Sequence, residues 1–154
     1  MGKLAKLIFS LVIPQLAGLI GAFFSVSSID SWYNSLNKPF FNPPPYVFGP
    51  VWTILYLVLG VVLYMIWSTE SPLKNFALKL FAAQMILNTL WSPVFFGLQS
   101  PILALFVIIP LWISILICIK VFYSIRKITG LLLIPYLLWV SFATALNTAI
   151  WILN

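Results

Sequence analysis

The sequence predicts an all-α integral membrane protein: one domain, residues 1–154, folded as a bundle of five transmembrane helices. Three observations carry this prediction. The chain is 63% hydrophobic and only 6% charged, whereas soluble domains carry about a quarter of charged residues. Its mean hydropathy is +1.13, and a soluble chain this apolar could not cover its own surface with polar groups. The apolar residues fall in five runs, each long enough to meet the roughly 20 residues that a helix needs to cross hydrocarbon. Backbone hydrogen bonds must close internally in lipid, which leaves helices as the solution for such runs.

Span 1 covers residues 4–26. It follows Lys3 and Lys6 as a secretory signal would, but it exceeds the roughly 7–15 residues of a signal's apolar region, and four more runs follow it. Pro14 and Gln15 lie inside it. Ala17, Gly21 and Ser25 share one face, as do Gly18 and Ala22; small residues at that spacing let a neighbouring backbone approach, so the face reads as a packing surface. Residues 27–49 form the one long, mixed-polarity connector, with Asp30 and Lys38 as its charges. The stretch 32–56, WYNSLNKPFFNPPPYVFGPVWTILY, packs two tryptophans, three tyrosines and three phenylalanines into 25 residues. It is either a plain connector or a lid over a pocket.

Span 2 covers residues 50–67 and opens at Gly49-Pro50, where the missing proline N–H leaves no gap in a first helical turn. Glu70, Ser71 and Pro72 mark the next turn. Span 3 covers residues 75–97 and carries Gln84, Asn88 and Pro93. In the turn Gln99-Ser100-Pro101, Ser100 reads as the N-cap of span 4, residues 101–123, with Pro110 inside it. Residues 124–130, carrying Arg126 and Lys127, connect to span 5, residues 131–153.

Charge sets the expected orientation. Lys3, Lys6, Lys74, Lys79, Lys120, Arg126 and Lys127 fall on one side of the five spans and Lys38 alone on the other. The positive-inside rule then puts the N-terminus in the cytoplasm and the loop and C-terminus outside, for a bacterial cell membrane. The same scatter of charges leaves no basic stripe to track a phosphate backbone, which excludes nucleic acid as a partner. The lone Cys118 cannot close an internal disulfide and reads as a small packing residue.

The residue inventory also limits the chemistry. The chain has no histidine, the commonest haem ligand and general base, so no metal site is expected. Asp30 and Glu70 both fall in connectors, whereas a proton-coupled transporter carries ionisable groups within its spans. Lys79 and Lys120 lie near enough to span ends to snorkel.

What remains is aromatic surface with a few neutral polar groups. Gln84, Asn88, Trp91 and Phe95 share one helical face, as do Trp139, Ala143 and Asn147 on span 5; Trp52 and Tyr56 are one turn apart on span 2. Buried amides in lipid need partners, so Asn88 and Asn147 should turn inward and carry Trp91 and Trp139 with them. An aromatic-lined cavity with a few convergent polar groups suits a flat hydrophobic ligand. The competing reading is that the two asparagines only join helices, and that Trp32, Trp67, Trp112 and Trp151 are interfacial anchors.

Three segments carry a family resemblance: WYNSLNKPFFNPPPYVFGPVWTILY at 32–56, NTLWSPVFFG at 88–97 and LLLIPYLLWVSFATALN at 131–147. Together they resemble the TspO/MBR family, the tryptophan-rich sensory proteins of bacteria and the mitochondrial translocator protein, also known as the peripheral benzodiazepine receptor. The resemblance implies a five-helix bundle, a homodimer, with the loop between helices 1 and 2 covering a pocket. It implies binding of porphyrins and haem, of cholesterol, and of isoquinoline-carboxamide and benzodiazepine drugs. By resemblance the ligand residues are Tyr33, Pro43, Pro44, Trp52, Tyr56, Asn88, Trp91, Trp139, Ala143 and Asn147. No cofactor is implied, since the porphyrin is ligand or substrate. Bacterial members are also linked to light- and oxygen-dependent breakdown of protoporphyrin, with Trp52 and Trp139 as the implied redox residues. Animal members carry a cholesterol-recognition pattern after helix 5, and residues 149–154 here hold neither tyrosine nor a basic residue. A formal match stands at 121–126, but the departure points to a bacterial-type member.

Overall fold

The structure, a computed structural model, describes residues 2–154. The apolar runs form α1 (Lys3–Ser28), α2 (Phe48–Ser68), α3 (Lys74–Ser92), α4 (Pro101–Ile125), α5 (Lys127–Leu132) and α6 (Ile134–Leu153); no strand occurs among the described residues. Five helical stretches are long and apolar enough to cross a membrane, with α5 and α6 together making the fifth. The protein is a five-helix membrane bundle. Around it, α1 packs on α2 and α3, α3 on α4, α4 on α6, and α5 returns to α2.

Prolines and serines explain where the helices depart from the simple runs. The first span outlasts its apolar run, continuing beyond Ser28 as a π-helical turn, Ile29–Tyr33. Trp32 and Tyr33 therefore sit on the end of a helix and not in the connector. Polar residues that read as loop are satisfied on helical backbone: Ser27 Oγ donates to the Phe24 carbonyl and Ser28 Oγ to that of Phe96, both at 2.9 Å. The fifth span begins at Lys127 and breaks at Leu133, where an unbroken helix from 131 was expected. Pro135 has no N–H to offer the Leu131 carbonyl, so the helix restarts instead of continuing. Pro93 similarly opens a π turn, Pro93–Gly97, at the end of α3. The 99–101 turn behaves as predicted: Ser100 Oγ accepts from the Leu103 N–H at 3.3 Å, and Gln99 takes the left-handed backbone conformation at φ 53°.

The half of the bundle away from the loop is solidly packed. Leu59, Val62 and Ile66 of α2, Ile115, Cys118 and Phe122 of α4, and Tyr136 of α6 are all at or below 1% exposure. Gly60 lets α1 and α2 approach closely. A Cβ there would stand 2.8 Å from the Ser10 carbonyl oxygen and 2.9 Å from Leu11 Cα. That carbonyl is the one Pro14 leaves without its helical N–H partner, so the missing donor and the missing side chain lie together.

The peripheral tryptophans divide. Trp151 is exposed at 46%, as an interfacial anchor would be. Trp112 instead joins two helices, its indole N–H donating to Ser141 Oγ at 2.7 Å. Trp32 packs edge-on against Phe95 at 5.5 Å between ring centres. Trp67 is half-buried, with the Lys6 ammonium 6.0 Å from its ring.

Candidate ligand cavity

The loop-end half of the bundle encloses a cavity of about 430 Å³, within the range that holds a drug-sized ligand. All five spans contribute to its wall. Trp52 stacks on Tyr56 with ring centres 5.4 Å apart and meets Trp139 edge-on at 6.3 Å. Across the cavity, Trp91 stacks on Phe95 at 5.1 Å. Phe48, at the start of α2, lies edge-on to Trp139 at 6.0 Å. The aromatic wall is thus two sets of rings, one around Trp52 and Trp139 and one around Trp91 and Phe95, and within each set the rings hold one another's orientation.

Eight of the ten residues picked from sequence line this cavity: Tyr33, Trp52, Tyr56, Asn88, Trp91, Trp139, Ala143 and Asn147. Pro43 and Pro44 do not; Pro45 and Tyr46, at the 3₁₀ turn Pro45–Val47 leading into α2, stand in the wall instead. Sequence reasoning also missed Gly18, Gly21, Ala22 and Ser25 of α1 and Ile108 and Leu111 of α4 as wall residues. The small-residue face of span 1 was visible, but a packing surface and a cavity wall have the same composition. The face serves as both: Ser92 Oγ donates to the Gly21 carbonyl at 2.9 Å, while Gly18 makes room for the Tyr56 ring, which a Cβ would meet at 2.8 Å. On uniformly apolar α4 no signal distinguished the two wall residues.

The polar groups in the wall are largely engaged by protein. Tyr56 Oη donates to Asn88 Oδ1 at 2.7 Å, Asn88 Nδ2 to Tyr136 Oη at 2.8 Å, and Tyr136 Oη to Gln84 Oε1 at 2.8 Å. This chain ties α2, α3 and α6 together below the cavity floor. Nearer the loop, Trp91 Nε1 donates to Asn147 Oδ1 at 3.0 Å, and Asn147 Nδ2 to the Pro101 carbonyl at 2.8 Å. Both asparagines therefore join helices as well as facing the cavity. Trp139 differs. Its indole N–H is buried without a partner among the described residues, and it is the one such orphan whose residue lines the cavity. A buried donor without an acceptor is uncommon, and this one has almost no surface open to the cavity.

The loop closes the end of the cavity and is fastened at several points. Tyr33 Oη donates to Asn42 Oδ1 at 2.8 Å. The Lys38 ammonium caps the carbonyls of Asn34 and Leu36 at 3.3 and 3.1 Å and sits 4.9 Å above the Tyr33 ring. Asn37 and Asn154 form a reciprocal pair, the Asn37 backbone N–H donating to Asn154 Oδ1 and Asn154 Nδ2 to the Asn37 carbonyl, both at 2.9 Å. A fixed lid, not a loose connector, follows from these bonds.

Comparison with known sequences agrees with this architecture: the model of the TspO/MBR family matches residues 10–152. The chain belongs to the TspO/MBR family. It is 43% identical over 152 residues to the tryptophan-rich protein TspO of Archaeoglobus fulgidus, covering 99% of both chains. It is 39% identical over 118 residues to the tryptophan-rich sensory protein of Cereibacter sphaeroides, covering 77% of this chain and 73% of the relative. To the human translocator protein it is 33% identical over 141 residues, covering 90% and 83%. The three segments that carried the TspO/MBR resemblance, 32–56, 88–97 and 131–147, each supply cavity wall in this structure.

Proposed function

We propose that the cavity binds a flat, mainly apolar tetrapyrrole, protoporphyrin IX or haem, and accepts aromatic isoquinoline-carboxamide or benzodiazepine-type drugs in the same place. The names of the relatives, sensory protein and translocator protein, support a membrane sensor or translocator as the role this binding serves. The observation that carries the reading is the aromatic wall: Trp52, Tyr56, Trp91, Phe95 and Trp139 surround one cavity inside the bundle. Ring faces attract a planar π-system, and the mainly apolar wall removes its apolar surface from solvent. With no histidine in the chain, haem binding here relies on the macrocycle's faces and edge and not on imidazole ligation of its iron. The basic residues on one side of the spans support an N-terminus in the cytoplasm.

Titrating detergent-purified protein with protoporphyrin IX in the dark, by quenching of tryptophan fluorescence, tests the reading. Saturable quenching with a defined stoichiometry, weakened in Trp139→Ala, is the expected result. Linear quenching, equal in both proteins, means that porphyrin only partitions into micelles and overturns the assignment.

One geometry favours a second reading, light-driven porphyrin breakdown with dioxygen as oxidant. Trp52 and Trp139 lie edge to face in the same wall, so a bound excited porphyrin would have oxidisable indoles within van der Waals reach. Loss of porphyrin absorbance under light, abolished in Trp52→Phe and Trp139→Phe while dark binding persists, is its signature. Stable absorbance under light in the wild type rules it out.

A further inference from the structure

The cavity is walled unevenly. Its lining residues on α3, α4 and α6 are all buried or half-buried, as is Tyr33. The exposed ones are Leu19, Ala22 and Val26 of α1 and Gly49 and Thr53 of α2, with Pro45 and Tyr46 just before α2. Leu19 and Val26 are 66% and 70% exposed although both line the cavity. The opening therefore runs between α1 and the first turns of α2, from Leu19 to Val26 of α1, about 10 Å of helix. Below it the two helices close: the Gln15 side-chain amide donates to the Thr53 carbonyl at 3.4 Å, Gly18 meets the Tyr56 ring, and Gly60 meets the Ser10 carbonyl. The neighbouring outer surface of α1, Ile20 and Phe23, is exposed and apolar, which is a lipid-facing surface in a membrane-spanning helix.

The rest of the loop is tied down by hydrogen bonds. The Asn37–Asn154 pair fastens the lid to the end of α6, and Tyr33–Asn42 fastens its middle to the end of the first span.

We infer that the cavity exchanges its ligand sideways with the hydrocarbon of the bilayer, through the slot between α1 and α2, and not past the lid with water. The ligand class is a lipophilic molecule already dissolved in the membrane, and Gly49 is the residue whose lack of a side chain keeps the slot open. A Cβ at Gly49 would meet nothing within 4 Å, so a large side chain there narrows the slot without a clash that forces the helices apart. This rests on the cavity being the ligand site.

The experiment follows tryptophan quenching by stopped flow. Protein in lipid vesicles is mixed with vesicles preloaded with protoporphyrin IX, and dissociation is read by mixing in the reverse direction. Gly49→Phe is expected to slow association and dissociation alike by about tenfold, while Asn154→Ala stays within about twofold of wild type. Ala22→Phe, on the opposite edge of the slot, repeats the slowing and stands in if Gly49→Phe fails to fold. Unchanged rates in both Phe variants, with faster exchange in Asn154→Ala, overturn the slot in favour of passage under the lid. Absence of saturable quenching in the wild type removes the ligand site itself, and the slot with it.

Discussion

The two halves of this bundle solve different problems with the same helices. Away from the loop, α2, α4 and α6 bring Leu59, Ile66, Phe122 and Tyr136 to near-zero exposure. The gap there, between Gln84, Cys118 and Tyr136, has no room for a water molecule. At the loop end the same helices stand around about 430 Å³ of cavity. What holds the hollow half is not close packing but rings that brace one another and amides that bond across helices, such as Asn147 between Trp91 and the Pro101 carbonyl. The comparison separates a half held by close packing from a half that keeps a cavity open. The Tyr56–Asn88–Tyr136–Gln84 chain is the seam.

That division is open to mutation. Phe122→Ala, in the packed half, is expected to cost about 3–5 kcal/mol, the usual toll of emptying a buried aromatic site. Reversible unfolding in mixed micelles measures it, and a loss no greater than that of Trp52→Ala breaks the comparison. Gly60→Ala forces a methyl group against the Ser10 carbonyl and should cost about 1–3 kcal/mol. The same assay reads it, and an undiminished stability would mean that α1 and α2 can part there freely.

At the seam, Asn88→Leu removes the bonds to Tyr56 and Tyr136. Polar bonds of this kind in membrane bundles average about 0.6 kcal/mol and reach roughly 1.7, so a loss in that range is expected, well below that of Phe122→Ala. Smallest is Ser10→Ala. Ser10 Oγ is fully buried with no partner, so deleting it removes an unsatisfied group and should leave stability unchanged or raised by under about 1 kcal/mol. A clear loss would reveal a hydrogen bond the structure does not contain.

The sequence and the structure agree best where one physical requirement acts alone. Length and hydropathy define the five spans because runs this long and continuously apolar close their backbone hydrogen bonds in lipid as helices. The face shared by Gln84, Asn88 and Phe95 emerged from a 3.6-residue period, and all three are at or below 5% exposure. Period, however, gives a direction and not a partner: nothing in the spacing of Asn88 announces Tyr56 or Tyr136. The π turn at Ile29–Tyr33 was hidden because Ser27 and Ser28 resemble connector residues until their hydroxyl bonds to backbone are seen. The break at Leu133 did have a signal in Pro135, outweighed by the apolar run around it. In the loop, three consecutive prolines look alike in sequence, and only the 3₁₀ turn that opens at Pro45 sets that one in the wall.

The most direct test of the central claim fills the hollow half without touching the packed one. Ala143 lines the cavity at the middle of α6, and Ala143→Phe places a ring in the space that a ligand would take. Dark titration with protoporphyrin IX and thermal unfolding are measured on the same preparation, beside the wild type. The account predicts an unfolding midpoint within about 4 °C of wild type, equivalent to under roughly 1 kcal/mol in a chain of this size, together with loss of saturable quenching. Equal saturable quenching in both proteins would contradict it, because the ligand would then sit somewhere other than between these five helices.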